Sequence, residues 1–303
     1  MIVGPTAAGK TNKALELASQ VNGEVISADS RHIYRKMDIG TNKPTFAERT
    51  QLPHHLLDLR EPNESFSLAE YVRLARTAID QIQMQGKTPM LVGGTGQYVR
   101  AVLEGWRVPE VAPHEEIRAR WLAFEKAHGQ DLLFAELVKL DPASANTIDK
   151  RNIRRVVRAL EVMEVTGERW SDLQQRDPLL IETRLIYVNL PREELYALAD
   201  KRIVRMIENG WLDECQKLLA YFTARGIDYD AALKLPSMSS LGYRELCAVL
   251  RDEKTLDSAI AEIKHATRRF IRMQDAWFRA LPTGFYIQNR GEHVPVRLRR
   301  SRF

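Results

Sequence analysis

Eight consecutive residues near the N-terminus, Gly4-Pro5-Thr6-Ala7-Ala8-Gly9-Lys10-Thr11, fit the pattern G-x-x-x-x-G-K-[ST]. Each fixed position has a physical reason. The glycines let the backbone curl until successive N–H groups and a helix N-terminus surround a phosphate, Lys10 supplies a point charge, and the Thr11 hydroxyl can ligate Mg²⁺. At ordinary residue frequencies a chance match in a chain of this length has a probability on the order of 1%. The pattern runs directly into helical spacing from Lys10 onward. Only Met1-Ile2-Val3 precede it, short against a usual strand of about 5 residues, which points to a longer natural N-terminus.

The loop alone leaves open whether its phosphate belongs to a nucleotide. Hydrolases built on such loops usually place an Asp at the end of an apolar strand to hold Mg²⁺. Here Met90-Leu91-Val92 runs into Gly93-Gly94-Thr95 with no Asp. A motor or switch ATPase is therefore disfavoured, and group transfer to or from a bound phosphate compound is expected.

Two further side chains are placed for such chemistry. Asp29 follows the strand pattern Val25-Ile26-Ser27-Ala28, and strand carboxyl ends line the ligand crevice of an open parallel sheet. Its carboxylate could accept a proton from a nucleophile or hold Mg²⁺ through water; the plainer role is to cap the next turn with Ser30. Thr95 could position an acceptor or contact a diphosphate, or merely cap a helix. His54 and His55 lack a third ligand for a metal. Turn chemistry explains Asp38, Thr41 and Lys43 as well as function does.

Arg151, Arg154, Arg155 and Arg158 recur at helical spacing with no acid among them, a face suited to a nucleic-acid backbone unless Glu161 and Glu164 pair with it. His265, Arg268, Arg269 and Arg272 make a second stripe beside Trp277 and Phe278. Guanidinium and ring together suit unstacked bases, although both rings could equally be core. Arg202 and Arg205 share a helical face after the Tyr187–Leu190 stretch and could reach back to a diphosphate.

The elements that must position these groups follow from periodicity. Strands are expected at 24–28, 55–59, 89–92 and 184–190, and helices at 10–21, 68–85 and 193–207, an α/β pattern with a mostly parallel sheet. From about 111 to 175 there are only helical patterns, at 114–127, 130–140 and 152–165, read as an all-α insertion domain. The organisation expected is a catalytic core over 1–110, the insertion over 111–175, and the rest of the core over 176–303, with a long helix at 256–279 before a basic tail.

Composition supports this. The chain has 303 residues, 44% hydrophobic and 28% charged, so it can bury a large core. The net charge is +5, of which residues 284–303 contribute five Arg (Arg290, Arg297, Arg299, Arg300, Arg302) against Glu292. The remainder is nearly neutral, so any nucleic-acid surface there must come from local clustering. That tail is expected to be a solvated or frayed terminus. Two cysteines, Cys215 and Cys247, cannot frame a zinc site and suggest a reducing compartment, hence the cytoplasm. No apolar stretch approaches the ~20 residues of a membrane span, and the glycine loop comes too early for a signal peptide.

The phosphate loop, Asp29-Ser30-Arg31-His32-Ile33-Tyr34, Met37-Asp-Ile-Gly-Thr-Asn-Lys-Pro44, Pro53-His-His-Leu-Leu-Asp58, Gly93-Gly-Thr-Gly-Gln-Tyr98 and Leu241-Gly242-Tyr243-Arg244-Glu245, taken together and in this order, closely resemble the tRNA dimethylallyltransferase (isopentenyltransferase) family. The resemblance spans roughly residues 2–279. It implies transfer of a dimethylallyl group from dimethylallyl diphosphate to the exocyclic amine of the adenosine 3′ of the anticodon, on a P-loop NTPase-like parallel sheet whose helical insertion grips the anticodon stem-loop. It makes Asp29 the general base with Thr95 beside it, the 4–11 loop the diphosphate site, and Thr11 the Mg²⁺ ligand. Its RNA-contacting segments fall on Asp29, Ser30, Arg31, His32, Thr95, Arg118, Arg154, Arg155, Val156, Val157, Arg158, Ser239, Ser240, Leu241, Gly242, Tyr243 and Arg244. A monomer is expected. His32 stands where relatives often carry Gln, Ala8 replaces a common Ser, and Met273-Gln274 replaces Arg-Gln, which questions a contact from that helix. The competing readings are a small-molecule or nucleoside kinase, a non-catalytic RNA-binding protein with a phosphate loop, and a prenyltransferase using free AMP or ADP.

Overall fold

The computed structural model describes residues 1–177 and 183–281, and the backbone of two further strands. In chain order the elements are β1 (Ile2–Val3), α1 (Lys10–Val21), β2 (Gly23–Ser27), α2 (Phe46–Gln51), β3 (His54–His55), α3 (Leu68–Met84), β4 (Thr88–Gly93) and α4 (Gly96–Leu103). Then come α5 (Glu115–His128), α6 (Gln130–Leu140), α7 (Pro142–Ala145), α8 (Ile153–Thr166), α9 (Trp170–Leu173) and β5 (Ile186–Val188). They are followed by α10 (Arg192–Glu208), α11 (Trp211–Thr223), α12 (Tyr229–Lys234), a 3₁₀ turn at Ser237–Ser239, α13 (Tyr243–Val249), α14 (Leu256–Arg279), β6 (Tyr286–Asn289) and β7 (Glu292–Val294).

The sheet runs in the order β3-β2-β4-β1-β5-β6-β7. Every pairing from β3 to β6 is parallel, and β7 joins antiparallel. The short β1 lies between β4 and β5, with Ile2 opposite both Val92 and Ile186. A parallel neighbour on each side places the loop after β1 at the sheet's carboxyl edge, flanked by the loops after β4 and β5.

The chain divides into two compact units, one of Met1–Ser67, Arg73–Leu103 and Ile181–Phe303, the other of Leu68–Val72 and Glu104–Leu180. In the first, Ile2, Val25 and Met90 pack beneath Ala14 and Ala18 of α1. A larger apolar cluster joins Trp211, Leu218 and Phe222 of α11 to Tyr243 and Leu246 of α13 and to Ile263 of α14. The second unit is helical, with Leu133, Leu137, Val156, Val157 and Leu160 at its centre. Cys215 and Cys247 are free, buried thiols.

Three expectations change. The strand expected at 55–59 stops at His55, because Leu56 and Asp58 take left-handed φ of 62° and 56° that no strand can carry. The segment instead ties back through Asp58 N–H to His32 O and Arg60 N–H to Ile33 O. The strand at 184–190 shortens to β5. Part of the expected frayed tail forms β6 and β7 on the sheet edge, whereas Arg290, Arg297, Arg299, Arg300 and Arg302 lie outside the described residues.

Candidate active site

The phosphate loop leaves β1 and enters α1, which has no side-chain N-cap, so its first amides stay available to an anion. Gly4 has φ 152°, and a Cβ there would fall 2.1 Å from the Val188 carbonyl oxygen, so only glycine fits against β5. Ala7 takes a left-handed φ of 67°, the kind of turn from which concave anion-binding loops are built. Lys10 folds over the loop, its ammonium donating to the carbonyls of Gly4 (3.0 Å) and Pro5 (2.8 Å). Desolvation lowers its pKa to about 8, with Asp29 pulling it up and Arg202 pushing it down.

Arg202 reaches the loop from α10, donating from Nη2 to the Thr6 hydroxyl at 2.5 Å. Burial lowers its pKa, Asp29 offsets part of this, and its buried Nε has no partner. An anion in the loop would supply the missing acceptor. Arg205 does not join it: its side chain is exposed on a shallow groove with Asp200, Lys201, Glu208 and Lys264.

Asp29 sits just past β2. One carboxylate oxygen accepts the Arg31 N–H at 2.9 Å, the turn-capping role, and no ion pair among the described residues uses the carboxylate. Burial pushes its pKa up, but His32, the Arg31 amide, Lys10 and the Arg31 guanidinium outweigh this and hold it below the usual Asp value. Thr95 stands at the N-cap position of α4, its carbonyl accepting the N–H groups of Tyr98 (3.0 Å) and Val99 (3.2 Å), while its side chain is engaged elsewhere. Its hydroxyl accepts the Ser30 N–H at 2.9 Å and donates to Ser30 Oγ at 3.3 Å, joining the end of β4 to the segment after β2.

His32 is fixed at both nitrogens. The Thr41 carbonyl, 3.2 Å away, can only accept, so Nε2 carries the proton and Nδ1 accepts from the Ser27 hydroxyl at 3.1 Å. Burial lowers its pKa, Asp29 raises it, and Lys43 lowers it further. The buried Lys43 ammonium binds Asp38 (2.5 Å), Asp58 (2.7 Å) and the Tyr34 carbonyl (2.7 Å), so Lys43 and Asp38 brace the turn. His54 bonds the Leu52 carbonyl and His55 bonds Glu24, and no cluster of three metal-ligating side chains occurs among the described residues.

One cavity of about 400 Å³ collects Thr6, Asp29, Arg31, Thr95, Arg202 and Gln274 on polar walls, with Ile203, Met206, Trp211, Phe270, Met273 and Trp277 among its apolar ones. Ser30, Ser239, Ser240 and Leu241 also line it. Gly242 and Tyr243 do not. Gly242 abuts the Trp211 ring, and Tyr243 is buried with its hydroxyl on Glu214. Arg244 is exposed. Gln274, left in question by the sequence, bridges two loops: it accepts the Thr6 N–H and donates to the Gly94 carbonyl. Phe278 is buried, while Trp277 is half-buried against Gly96.

The second unit corrects its Arg face. Arg151 pairs with Asp149, and Arg158 donates to the buried Glu161 (2.8 Å) and to the Val111 carbonyl (2.6 Å). Arg118 binds the same Glu161 at 2.9 Å. Val156 and Val157 have their side chains in the core of this unit rather than on its surface. Arg154 and Arg155 remain exposed, with no ion pair among the described residues. On the second stripe Arg268 binds Asp200 and Arg272 bonds the Tyr196 hydroxyl.

Mg²⁺ typically takes one or two protein ligands and completes its shell with water and substrate phosphate. The Thr11 hydroxyl at the start of α1, with the Asp29 carboxylate charge acting on the same loop through Lys10, fits that donor set. No helix among the described residues is long and apolar enough to cross a membrane.

Residues 32–281 match the family described as IPP transferase. The chain is 50% identical over 281 residues to a tRNA dimethylallyltransferase of Roseiflexus sp. (strain RS-1), covering 93% of this chain and 90% of that protein. It is 42% identical to one of Thermomicrobium roseum, over 92% and 83% of the two chains. Among solved structures it is similar to a full-length tRNA isopentenylpyrophosphate transferase of Bacillus halodurans, at TM-score 0.62 and 38% identity over 92% and 86% of the chains. It is also similar to a eukaryotic dimethylallyltransferase acting on tRNA, at TM-score 0.79 and 28% identity over 94% and 72%.

Proposed function

This chain belongs to the IPP transferase family, and on that premise we propose that it transfers a dimethylallyl group from dimethylallyl diphosphate to N6 of the adenosine 3′ of the anticodon in tRNA, releasing diphosphate. The observation that carries this reading is one cavity whose cationic, anion-ready wall (Thr6, Arg202) adjoins an apolar wall (Ile203, Met206, Phe270, Trp277). An anionic head on a short hydrocarbon tail matches both.

The amides of the 4–11 loop other than those of Thr6 and Ala8, which bond Gln274 and Pro5, bind the diphosphate together with Lys10 and Arg202 and stabilise the charge that grows on it as its bond to the allylic carbon breaks. Mg²⁺, held through Thr11, would add charge neutralisation to that leaving group. Asp29, ionised and with lone pairs to spare, takes the proton from the adenine amine as the N6–carbon bond forms. Thr95 and Ser30 fix the adjoining backbone. An adenosine must leave its stack to enter the cavity, a cost of a few kcal/mol that is smallest in a loop. Ser239, Ser240 and Leu241 then border the acceptor, and Arg154 and Arg155 contact RNA phosphates. The reading includes a monomer acting in the cytoplasm.

The test is incubation with Mg²⁺, labelled dimethylallyl diphosphate and unmodified tRNA without ATP, followed by nucleoside mass analysis. A dimethylallyl adduct on that adenosine supports the reading. Absence of any adduct, with ATP-dependent phosphorylation of a small acceptor, replaces it with a kinase.

A further inference from the structure

Glu214 of α11 is 9% exposed, and its carboxylate is filled by four donors. Oε2 accepts the N–H groups of Asp38 and Ile39, each at 2.7 Å, while Oε1 accepts the Gly40 N–H at 3.0 Å and the Tyr243 hydroxyl at 2.7 Å. Four accepted hydrogen bonds suit an ionised carboxylate and no uncharged side chain of this size. Three successive amides converging on one buried acceptor fix a loop that has no ladder of its own. That loop is a wall of the cavity, through Gly40, Thr41 and Asn42. It is also held tightly, since a Cβ at Gly40 would fall 2.0 Å from Trp211 Nε1 and 2.6 Å from the Tyr243 oxygen. Its next residue, Thr41, presents the carbonyl that fixes His32, three residues after Asp29.

We propose that Glu214 is a positioning residue for the transfer reaction. Its carboxylate holds the 38–40 backbone so that the cavity wall and, through Thr41, the His32 ring keep the acceptor in register with Asp29. The inference rests on the transfer reading, because it presumes an acceptor base offered to Asp29. It leaves the donor side independent, since none of Glu214's four bonds involves Thr6, Lys10 or Arg202.

The experiment compares the full chain with Glu214→Gln, Glu214→Ala and Tyr243→Phe. It reads kcat and KM for tRNA, binding of inorganic pyrophosphate with Mg²⁺, and hydrogen exchange of the 38–40 amides. Gln keeps one acceptor oxygen but turns an NH₂ toward the Gly40 N–H, so kcat should fall about 10-fold, against about 100-fold for Ala and less than about 3-fold for Tyr243→Phe. Pyrophosphate affinity should stay within about 2-fold of the parent. Exchange at 38–40 should quicken in Glu214→Gln. Parental turnover in Glu214→Gln overturns the inference, as does pyrophosphate affinity falling in step with kcat, which would mean general loosening. If Glu214→Ala does not fold, the Gln and Phe variants decide. A parent chain that makes no adduct defeats the transfer reading instead, and unchanged exchange in Glu214→Gln still overturns the inference in that case.

Discussion

Gln274 and Thr6, 268 residues apart, are joined by a 2.8 Å hydrogen bond from the Thr6 amide to the Gln274 side-chain oxygen. The Gln274 side-chain NH₂ donates in turn to the Gly94 carbonyl at 2.9 Å. A single side chain from α14 therefore sets the spacing between the phosphate loop and the glycine turn that carries Thr95. A Cβ at Gly94 would lie 2.5 Å from Gln274 Nε2, so the bridge also requires glycine there.

Gln274→Ala should cost about 1–3 kcal/mol for each polar group left unpaired and should raise the KM for the donor. Gln274→Glu can still accept from Thr6 but cannot donate to Gly94, so it should recover part of the stability and little of the donor affinity. Urea unfolding and donor kinetics on the two variants check both statements.

Lys10 gives a pH dependence with a definite sign. Desolvation, the largest influence, lowers its pKa to about 8, so the free protein loses this charge above that pH. Diphosphate favours the charged form and draws the pKa back up. Donor affinity should therefore be level below about pH 8 and weaken towards tenfold per unit above it, with proton uptake on binding. Lys10→Arg stays charged throughout and should remove the bend, whatever it costs in fit. Calorimetry of pyrophosphate binding in buffers of different ionisation enthalpy measures the proton uptake.

Asp29→Asn should cut turnover by about 10²–10⁴ while tRNA affinity moves less than about 2-fold, because it removes a proton acceptor and keeps the Arg31 turn. Burial raises the Asp29 pKa, but the surrounding positive charge and the Arg31 amide hold it below the usual Asp value, so the acid limb it imposes on kcat/KM should lie on the acid side of an ordinary aspartate's. A depressed folded-state pKa also means that its stabilising contribution is complete above the unfolded-state pKa and is lost as pH falls through the folded-state one. A kcat/KM profile alongside acid unfolding separates the two.

Much of this was legible because local chemistry dictated it. Helices at Lys10–Val21, Gln130–Leu140 and Leu256–Arg279 follow apolar periodicity to their ends. Asp29 and Thr95 follow from lying just beyond β2 and β4. Gln274's bridge and Glu214's hold on the 38–40 loop were not legible, because the backbone groups they join, Thr6 and Gly94 for Gln274 and the 38–40 amides for Glu214, lie 174–268 residues away. The 55–59 segment misled through its apolar residues, whose pattern does not report the positive φ of Leu56 and Asp58. The Arg spacing placed Arg154, Arg155 and Arg158 on α8, but Arg151 lies in the turn before it, and spacing could not reveal that Glu161, at 0% exposure, takes Arg158 and Arg118 inward.

That division of α8 makes its arginines separable. Arg154→Ala with Arg155→Ala removes two exposed charges that have no protein partner among the described residues, so tRNA affinity should drop while stability and kcat hold. If each meets one phosphate, the slope of log K against log salt should shrink by roughly 1.5. Arg158→Ala should behave differently, because it strips one of the donors from a buried carboxylate and frees the Val111 carbonyl. Its cost, about 1–3 kcal/mol, should appear as a lower unfolding midpoint with the salt slope unchanged. Filter binding across a salt series, with thermal unfolding of the same variants, decides the matter. An equal loss of salt slope in both would place Arg158 on the RNA face after all.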